Sequence, residues 1–399
     1  MSHDGLIRKG FGLRREVAPE LERDYASALV RRAREHGNEL VLDGLTVRLA
    51  EEFGFCYGVE RAVDYAYETR RKFPDRRCVI TGEIIHNPRV NARLRELGFE
   101  FLDGTLGSTI TVDDLGPEDV VLLPAFGVTT ELLERLRRAG CVLVDTTCGS
   151  VLAVWKNVER YARDGFTCLI HGKWQHEETR ATASRALIYP EGRYLIVLDL
   201  EEAEFVARYI EHGGDRDAFA RRFADAVSPG FDPDRHLERI GMANQTTMLS
   251  SESMQIAGRI GRAMVARWGR EEAARRFRSF DTICSATQDR QDAVLAMMRT
   301  PPDVMLVIGG FNSSNTGHLA EICAGHCPTW HVEGAEDLLA LDRIRHKPVD
   351  AREPVMHRGP WLPDTAREIG LTAGASTPDR EIGRVIARLL ELRGIDPPA

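Results

Sequence analysis

From about residue 45 onward, short apolar runs alternate with stretches of helical periodicity. The runs are CVIT at Cys78, DVVLLP at Asp119, CVLV at Cys141, FTCLI at Phe166, YLIVL at Tyr194 and DVMLVIGG at Asp303. Short runs rich in Val, Ile and Leu read as strands, and their alternation with helices predicts an α/β fold with mostly parallel sheets. Residues 1–44 precede this alternation and read as an N-terminal extension. They are expected to hold one charge-rich helix over Glu20 to Glu35 with a thin apolar stripe.

A repeat refines the picture. The tetrapeptides Asp145-Thr146-Thr147-Cys148 and Asp281-Thr282-Ile283-Cys284 share three of four residues, and Cys56 sits in a similar setting. In each case an extended segment ends at the cysteine, a small residue follows within two positions (Gly58, Gly149, Ser285), and a helical pattern begins. That describes a strand-to-helix turn with a thiol at its tip. The cysteine spacings are 92 and 136 residues, so the second unit carries an insertion of 44, placed at about Leu187 to Arg239. The expected organisation is a strand over 45–56 packing with the third lobe, and a first α/β lobe over 57–148. A second lobe with the insertion follows over 149–281, and a third with the C-terminal segment over 282–399.

Bulk numbers agree with several domains. At 399 residues the chain exceeds what one core serves, at roughly 150 residues per domain. No apolar run approaches the roughly 18 residues that span a bilayer, and the opening MSHDGLIRKGFGLRREVAPELERDY is too charged for a secretory signal, so a cytoplasmic location is expected. There the eight cysteines should stay thiols, used for burial, metal binding or catalysis. A net charge of −8 argues against general nucleic-acid binding.

Three thiols from three distant turns do not match the paired spacing of a zinc ribbon or the clustered spacing of bacterial ferredoxins. A four-iron cluster on three thiolates leaves one iron open for substrate, and helix N-termini beneath the sulfurs favour the thiolate. The competing reading of a free cysteine is a small buried hydrophobe. Cys78, Cys141 and Cys168, inside apolar runs, are assigned that role. Cys323 and Cys327 stand four apart as helical neighbours and carry no case for a metal.

Two segments suit anions. Gly309 to Asn315 (GGFNSSN) follows an apolar strand and opens a helix, gathering hydroxyls, amides and free N–H groups; a plain capped turn is the alternative. Ala373 to Asp379 (AGASTPD) offers a capping hydroxyl and a proline near a first turn. A third group can move protons. His176 and Glu178 stand two residues apart after the FTCLI strand, where a raised-pKa glutamate beside a histidine suits a proton donor and a surface pair is the alternative. His86, in IIHNP, is a turn residue or an anion ligand, and Asn244 to Thr247 place hydroxyls at an expected helix start, where capping competes.

Taken in order, FCYGVERAV around Cys56, GEIIHNP around His86, DTTCG around Cys148, HEET at His176, NQTT at Asn244, ICSATQDRQ around Cys284, NSSN at Asn312 and TAGAS at Thr372 resemble the LytB family of 4-hydroxy-3-methylbut-2-enyl diphosphate reductases over roughly residues 45 to 390. The insertion and HGKWQHEETRATAS are similar to the longer form of cyanobacteria and plastids. The resemblance implies three similar lobes around one 4Fe-4S cluster, ligated by Cys56, Cys148 and Cys284, with one iron open for the substrate oxygen. It implies loss of the C4 hydroxyl of an allylic diphosphate with two electrons and two protons, giving isopentenyl and dimethylallyl diphosphates. Glu178 would deliver the proton, with His176 beside it, and Thr246 would orient that carboxylate and the substrate oxygen. His86, His176, Ser313, Ser314, Asn315 and Ser376 would hold the diphosphate, with Thr246 and Thr247 contributing to the substrate site. A ferredoxin or flavodoxin would supply electrons; no nucleic acid or membrane partner is implied, and the oligomeric state stays open.

One departure concerns Phe126 in PAFGV, where many bacterial members carry a histidine, so one diphosphate contact is missing or replaced. Two other readings remain on residues alone. A non-enzymatic iron-sulfur sensor needs the cysteines but not Glu178 or the serine turns, and a hydro-lyase would use the open iron as a Lewis acid without net electron transfer. A structural zinc protein ranks last for lack of paired spacing.

Overall fold

The computed structural model describes residues 6–102, 104–280 and 282–397, so residues 1–5 of the extension and Asp281 of the repeat lie outside the described residues. The chain divides into two compact units, one of Thr109–Cys284 with Met1–Leu6, the other of Ile7–Ser108 with Ser285–Ala399. The architecture is α/β with mostly parallel sheets, and all six apolar runs form strands.

The first unit is built on a four-stranded parallel sheet in the order Phe277–Ser279, Ile240–Asn244, Thr167–His171, Arg193–Val197. Its two central strands are buried at every position, as a sheet covered on both faces requires. Val158 of helix Gly149–Arg163, Val206 of helix Leu200–His212 and Ile260 of helix Ser250–Arg276 join Leu169 and Ile240 of the sheet in one apolar core. The 187–239 segment supplies the edge strand Arg193–Val197 and the helices Leu200–His212, Arg216–Arg222 and Pro233–His236, and it buries Phe219 and Phe223 in that core. A second parallel pair joins Val120–Leu123 to Val142–Asp145. Between these strands Gly127 has φ +78°, and a Cβ there would lie 2.4 Å from the Trp155 indole, so no other residue fits.

The second unit contains a five-stranded sheet ordered Thr329–Val332, Val304–Ile308, Glu368–Ala373, Leu45–Leu49, Glu39–Leu42, parallel except for the last pair. That last pair is a hairpin turned by Asp43 and Gly44, both at positive φ, the conformation a two-residue turn between twisted strands demands. A parallel pair, Cys78–Ile80 with Phe99–Phe101, and an antiparallel sheet of Leu338–Ala340, Arg343–His346 and Val355–Arg358 complete the unit's strands.

The extension departs from expectation. In place of one helix over Glu20 to Glu35, two helices span Arg14–Tyr25 and Ala28–Glu35. The break falls where Ala26 and Ser27 are extended and the Ser27 hydroxyl accepts the Val30 N–H at 3.4 Å. A serine starts a helix better than it continues one, because its oxygen competes for backbone donors. Among the described residues, no helix is long and apolar enough to cross a membrane.

Candidate active site

Cysteine environments divide the eight thiols. Cys78, Cys168 and Cys323 are buried, and burial pushes the Cys168 thiol up to about 12, so it stays protonated. Cys141, assigned to the core from its sequence run, is only half-buried because it precedes the strand Val142–Asp145 instead of lying within it. Cys327 lies past the end of helix Ser314–Ala324, but its N–H still donates to the Cys323 carbonyl at 3.1 Å, so the two remain neighbours. Cys56, Cys148 and Cys284 are all half-buried, and each immediately precedes a helix. Cys56 and Cys148 occupy the N-cap itself, and neither side chain makes a capping hydrogen bond. The first N–H groups of such helices lack carbonyl partners and favour a thiolate over a thiol. A thiolate so placed suits metal ligation, and none of these thiols is spent in a disulfide.

In the first unit the Asp145-Thr146-Thr147 turn fixes Cys148. Asp145 Oδ1 accepts the Thr147 N–H at 3.0 Å, the Thr146 hydroxyl donates to the Leu123 carbonyl at 2.6 Å, and the Cys148 N–H donates to the Ala125 carbonyl at 2.8 Å. Glu178 is 3% exposed in the first turn of helix Glu177–Ala186. Its Oε1 accepts the Thr246 N–H at 2.6 Å, and the Thr246 carbonyl accepts the Cys284 N–H at 3.3 Å. One residue thus links the candidate acid to a candidate cluster ligand. His176 caps the same helix: its Nδ1 accepts the Glu178 N–H at 3.2 Å, which leaves Nε2 as the nitrogen carrying the proton. The ring thus meets the glutamate backbone at Nδ1. Phe126 packs edge-on against that ring, with centroids 6.3 Å apart.

Asn244 to Thr247 do not cap a helix. They form the turn leaving strand Ile240–Asn244, and the next helix begins at Ser250 with Leu249 as its N-cap. Gln245, which sequence reasoning missed, organises this turn. It is fully buried, its Oε1 accepts from the Thr179 hydroxyl at 3.0 Å and the Lys173 N–H at 3.1 Å, and its Nε2 donates to Thr247 Oγ1 at 2.8 Å. Thr247 thus uses one of its two lone pairs on Gln245 and keeps its O–H donor for a substrate. The NQTT motif contained Gln245, but only the tertiary contacts reveal its use.

The second unit gathers the anion-suited residues. Helix Ser314–Ala324 is capped by Ser313, whose hydroxyl accepts the Thr316 N–H at 3.3 Å. Asn315 Oδ1 accepts the Ala375 N–H at 2.9 Å, and the Ala375 carbonyl accepts the Cys56 N–H at 3.1 Å. Ser376 donates to the His86 carbonyl at 3.0 Å, while His86 Nδ1 meets Glu83 Oε2 at 2.9 Å. The carboxylate can only accept, so it fixes the proton on Nδ1. The Thr316 side chain lies tight against the Gly374 backbone here: a Cβ on Gly374 would fall 2.0 Å from its hydroxyl. The hydroxyls of Ser376 and Thr377 do not cap the next helix, because Pro378 takes the N-cap and Thr377 donates to the Ile308 carbonyl at 3.1 Å. Most telling is Asn315, 2% exposed, whose Nδ2 has no hydrogen-bond partner. A buried amide donor without an acceptor costs on the order of 1–3 kcal/mol, which an anionic ligand would relieve.

The family profile described as LytB protein matches residues 47–390. A 4-hydroxy-3-methylbut-2-enyl diphosphate reductase of Thermosynechococcus vestitus is 48% identical over 99% of this chain and 96% of its own length. One of Gloeobacter violaceus is 49% identical over 99% and 94% respectively. Among solved structures, (E)-4-hydroxy-3-methyl-but-2-enyl diphosphate reductase, described as the terminal enzyme of the non-mevalonate pathway, is similar at 29% identity and TM-score 0.53, covering 86% of this chain and 99% of that one. A Plasmodium falciparum reductase shares the fold at 20% identity and TM-score 0.63, covering 86% of this chain and 87% of its own. With nearly half its residues in common with relatives along almost its whole length, the chain belongs to the LytB family.

Proposed function

We propose that the chain removes the hydroxyl of 4-hydroxy-3-methylbut-2-enyl diphosphate with two electrons and two protons, releasing water and forming isopentenyl and dimethylallyl diphosphates. The names of its near full-length relatives support this reading. The observation that carries it is the buried Glu178 carboxylate, tied through the Thr246 peptide to Cys284. A proton donor fixed next to a metal-ligand candidate is what cleavage of an unreactive C–O bond needs.

Cys56, Cys148 and Cys284 would hold a 4Fe-4S cluster, which when bound would supply electrons and Lewis-acid activation of the leaving hydroxyl. The protein's own groups do the rest. Glu178 protonates the leaving hydroxyl, and the Thr246 N–H holds its carboxyl in place. The Thr246 and Thr247 hydroxyls orient the substrate oxygen. His176 presents Nε2–H, held by Phe126 and the Glu178 N–H. With His86, Ser313, Ser314, Asn315 and Ser376 it anchors the diphosphate, and the uncompensated Asn315 amide supplies one donor. A ferredoxin or flavodoxin in the cytoplasm delivers the electrons.

A sensor reading gives no use to the Asn315 donor or the Glu178–Thr246 bond, and nothing in the fold favours it. Anaerobic turnover with and without reductant tests the assignment. Both five-carbon products should form only with reductant, whereas a dehydrated compound formed without reductant would indicate a lyase.

A further inference from the structure

The Gly309–Asn315 turn is held from behind by side chains that no sequence motif singles out. Strand Thr329–Val332 supplies His331, 3% exposed, whose Nε2 meets the Gly309 carbonyl at 3.0 Å. A carbonyl can only accept, so Nε2 carries the proton. Burial, helped by the Lys347 charge, pushes His331 down to about 4, so the ring is neutral at working pH. Lys347, just after strand Arg343–His346, donates from Nζ to the Phe311 carbonyl at 2.7 Å. The Lys347 N–H also donates to the His331 carbonyl at 2.9 Å, which locks the two residues together. The Phe311 ring is fixed edge-on to His331 at 5.2 Å and beneath the Arg345 guanidinium at 4.9 Å.

The C=O and N–H of a trans peptide point in opposite directions. A Gly309 carbonyl turned to His331 therefore turns the Gly310 N–H the other way, and a Phe311 carbonyl turned to Lys347 does the same for the Asn312 N–H. Neither N–H donates to another group among the described residues. The two held carbonyls are also the negative dipole ends that would repel an anion.

We propose that His331 and Lys347 are positioning residues for the diphosphate: by holding the Gly309 and Phe311 carbonyls away, they turn the N–H groups of the Gly309–Asn315 turn toward the anion. This deepens the diphosphate reading above and rests on it. The antiparallel sheet that carries Lys347 thereby acquires a role in substrate affinity.

The test uses the anaerobic, cluster-loaded full chain with two readouts: the Kd of inorganic diphosphate by calorimetry, and KM and kcat for the allylic diphosphate. In Lys347→Met, Kd and KM should rise about tenfold, the low end of what loss of an outer hydrogen-bonding group costs, with a smaller fall in kcat. Lys347→Arg should restore most of the affinity. His331→Phe should behave like Lys347→Met, and His331→Gln, which keeps a donor, should recover partly. Unchanged diphosphate affinity in Lys347→Met and His331→Phe would overturn the proposal. So would losses that Lys347→Arg and His331→Gln fail to rescue at parental iron content. Wild-type protein that binds diphosphate without turnover would refute the proposed reaction instead, while the binding constants still decide this one.

Discussion

Replacing Glu178 with glutamine separates chemistry from folding. Glu178 is 3% exposed, and its Oε1 accepts the Thr246 N–H at 2.6 Å. Glutamine keeps an acceptor of the same shape, so the turn that seats Cys284 persists. What the turn loses is the charge assistance of one hydrogen bond, about 1 kcal/mol. The reaction loses a proton donor, worth about 10²- to 10⁴-fold in rate, or roughly 3–5 kcal/mol of barrier. The assay is anaerobic turnover with excess reductant, alongside iron and sulfide content and a thermal melt. Turnover should fall at least about a hundredfold at parental iron content, with a small change in the melt. Turnover within about threefold of the parent at full cluster content would refute the acid role.

Other residues give separate checks. Cys148→Ser should lower iron content and the visible cluster absorbance, whereas Cys168→Ala, in the buried central strand Thr167–His171, should leave both unchanged and cost about 1 kcal/mol of stability. Asn315→Asp keeps the acceptor for the Ala375 N–H but puts a negative charge in place of the unpartnered donor, so diphosphate affinity should fall at least about tenfold with little loss of stability. His331 makes stability depend on pH. Its folded value near 4 lies below the ordinary 6.5, so between these values the unfolded chain binds more protons, and stability falls as pH drops from 6.5 toward 4. The full effect is about 3 kcal/mol. Urea unfolding of His331→Gln should show a flatter profile over that window, and an unchanged slope would remove His331 as its source.

The elements the chain announced were those whose signal is local. Buried parallel strands are written in composition, which is why the six apolar runs all formed strands. The turn at Cys148 was legible because strand Val142–Asp145, the thiol and a small residue sit together, whereas Cys56 and Cys284 stand seven and five residues beyond strands Leu45–Leu49 and Phe277–Ser279. Misreadings came where a competing local bond decides the outcome. Ser27 caps a helix and so splits one predicted helix in two, and Pro378 takes the N-cap expected of a hydroxyl. Gln245, His331 and Lys347 were invisible for a different reason: their partners lie in other elements. His331 reaches Gly309 across 22 residues and Lys347 reaches Phe311 across 36, and no local periodicity encodes such pairings.

The most direct test of the account is anaerobic conversion of 4-hydroxy-3-methylbut-2-enyl diphosphate by the iron-loaded chain, run with and without a chemical reductant beside Cys148→Ser. The account predicts both five-carbon diphosphates, formed only with reductant and lost together with iron in the variant. An intact cluster that turns over no substrate under these conditions would contradict it.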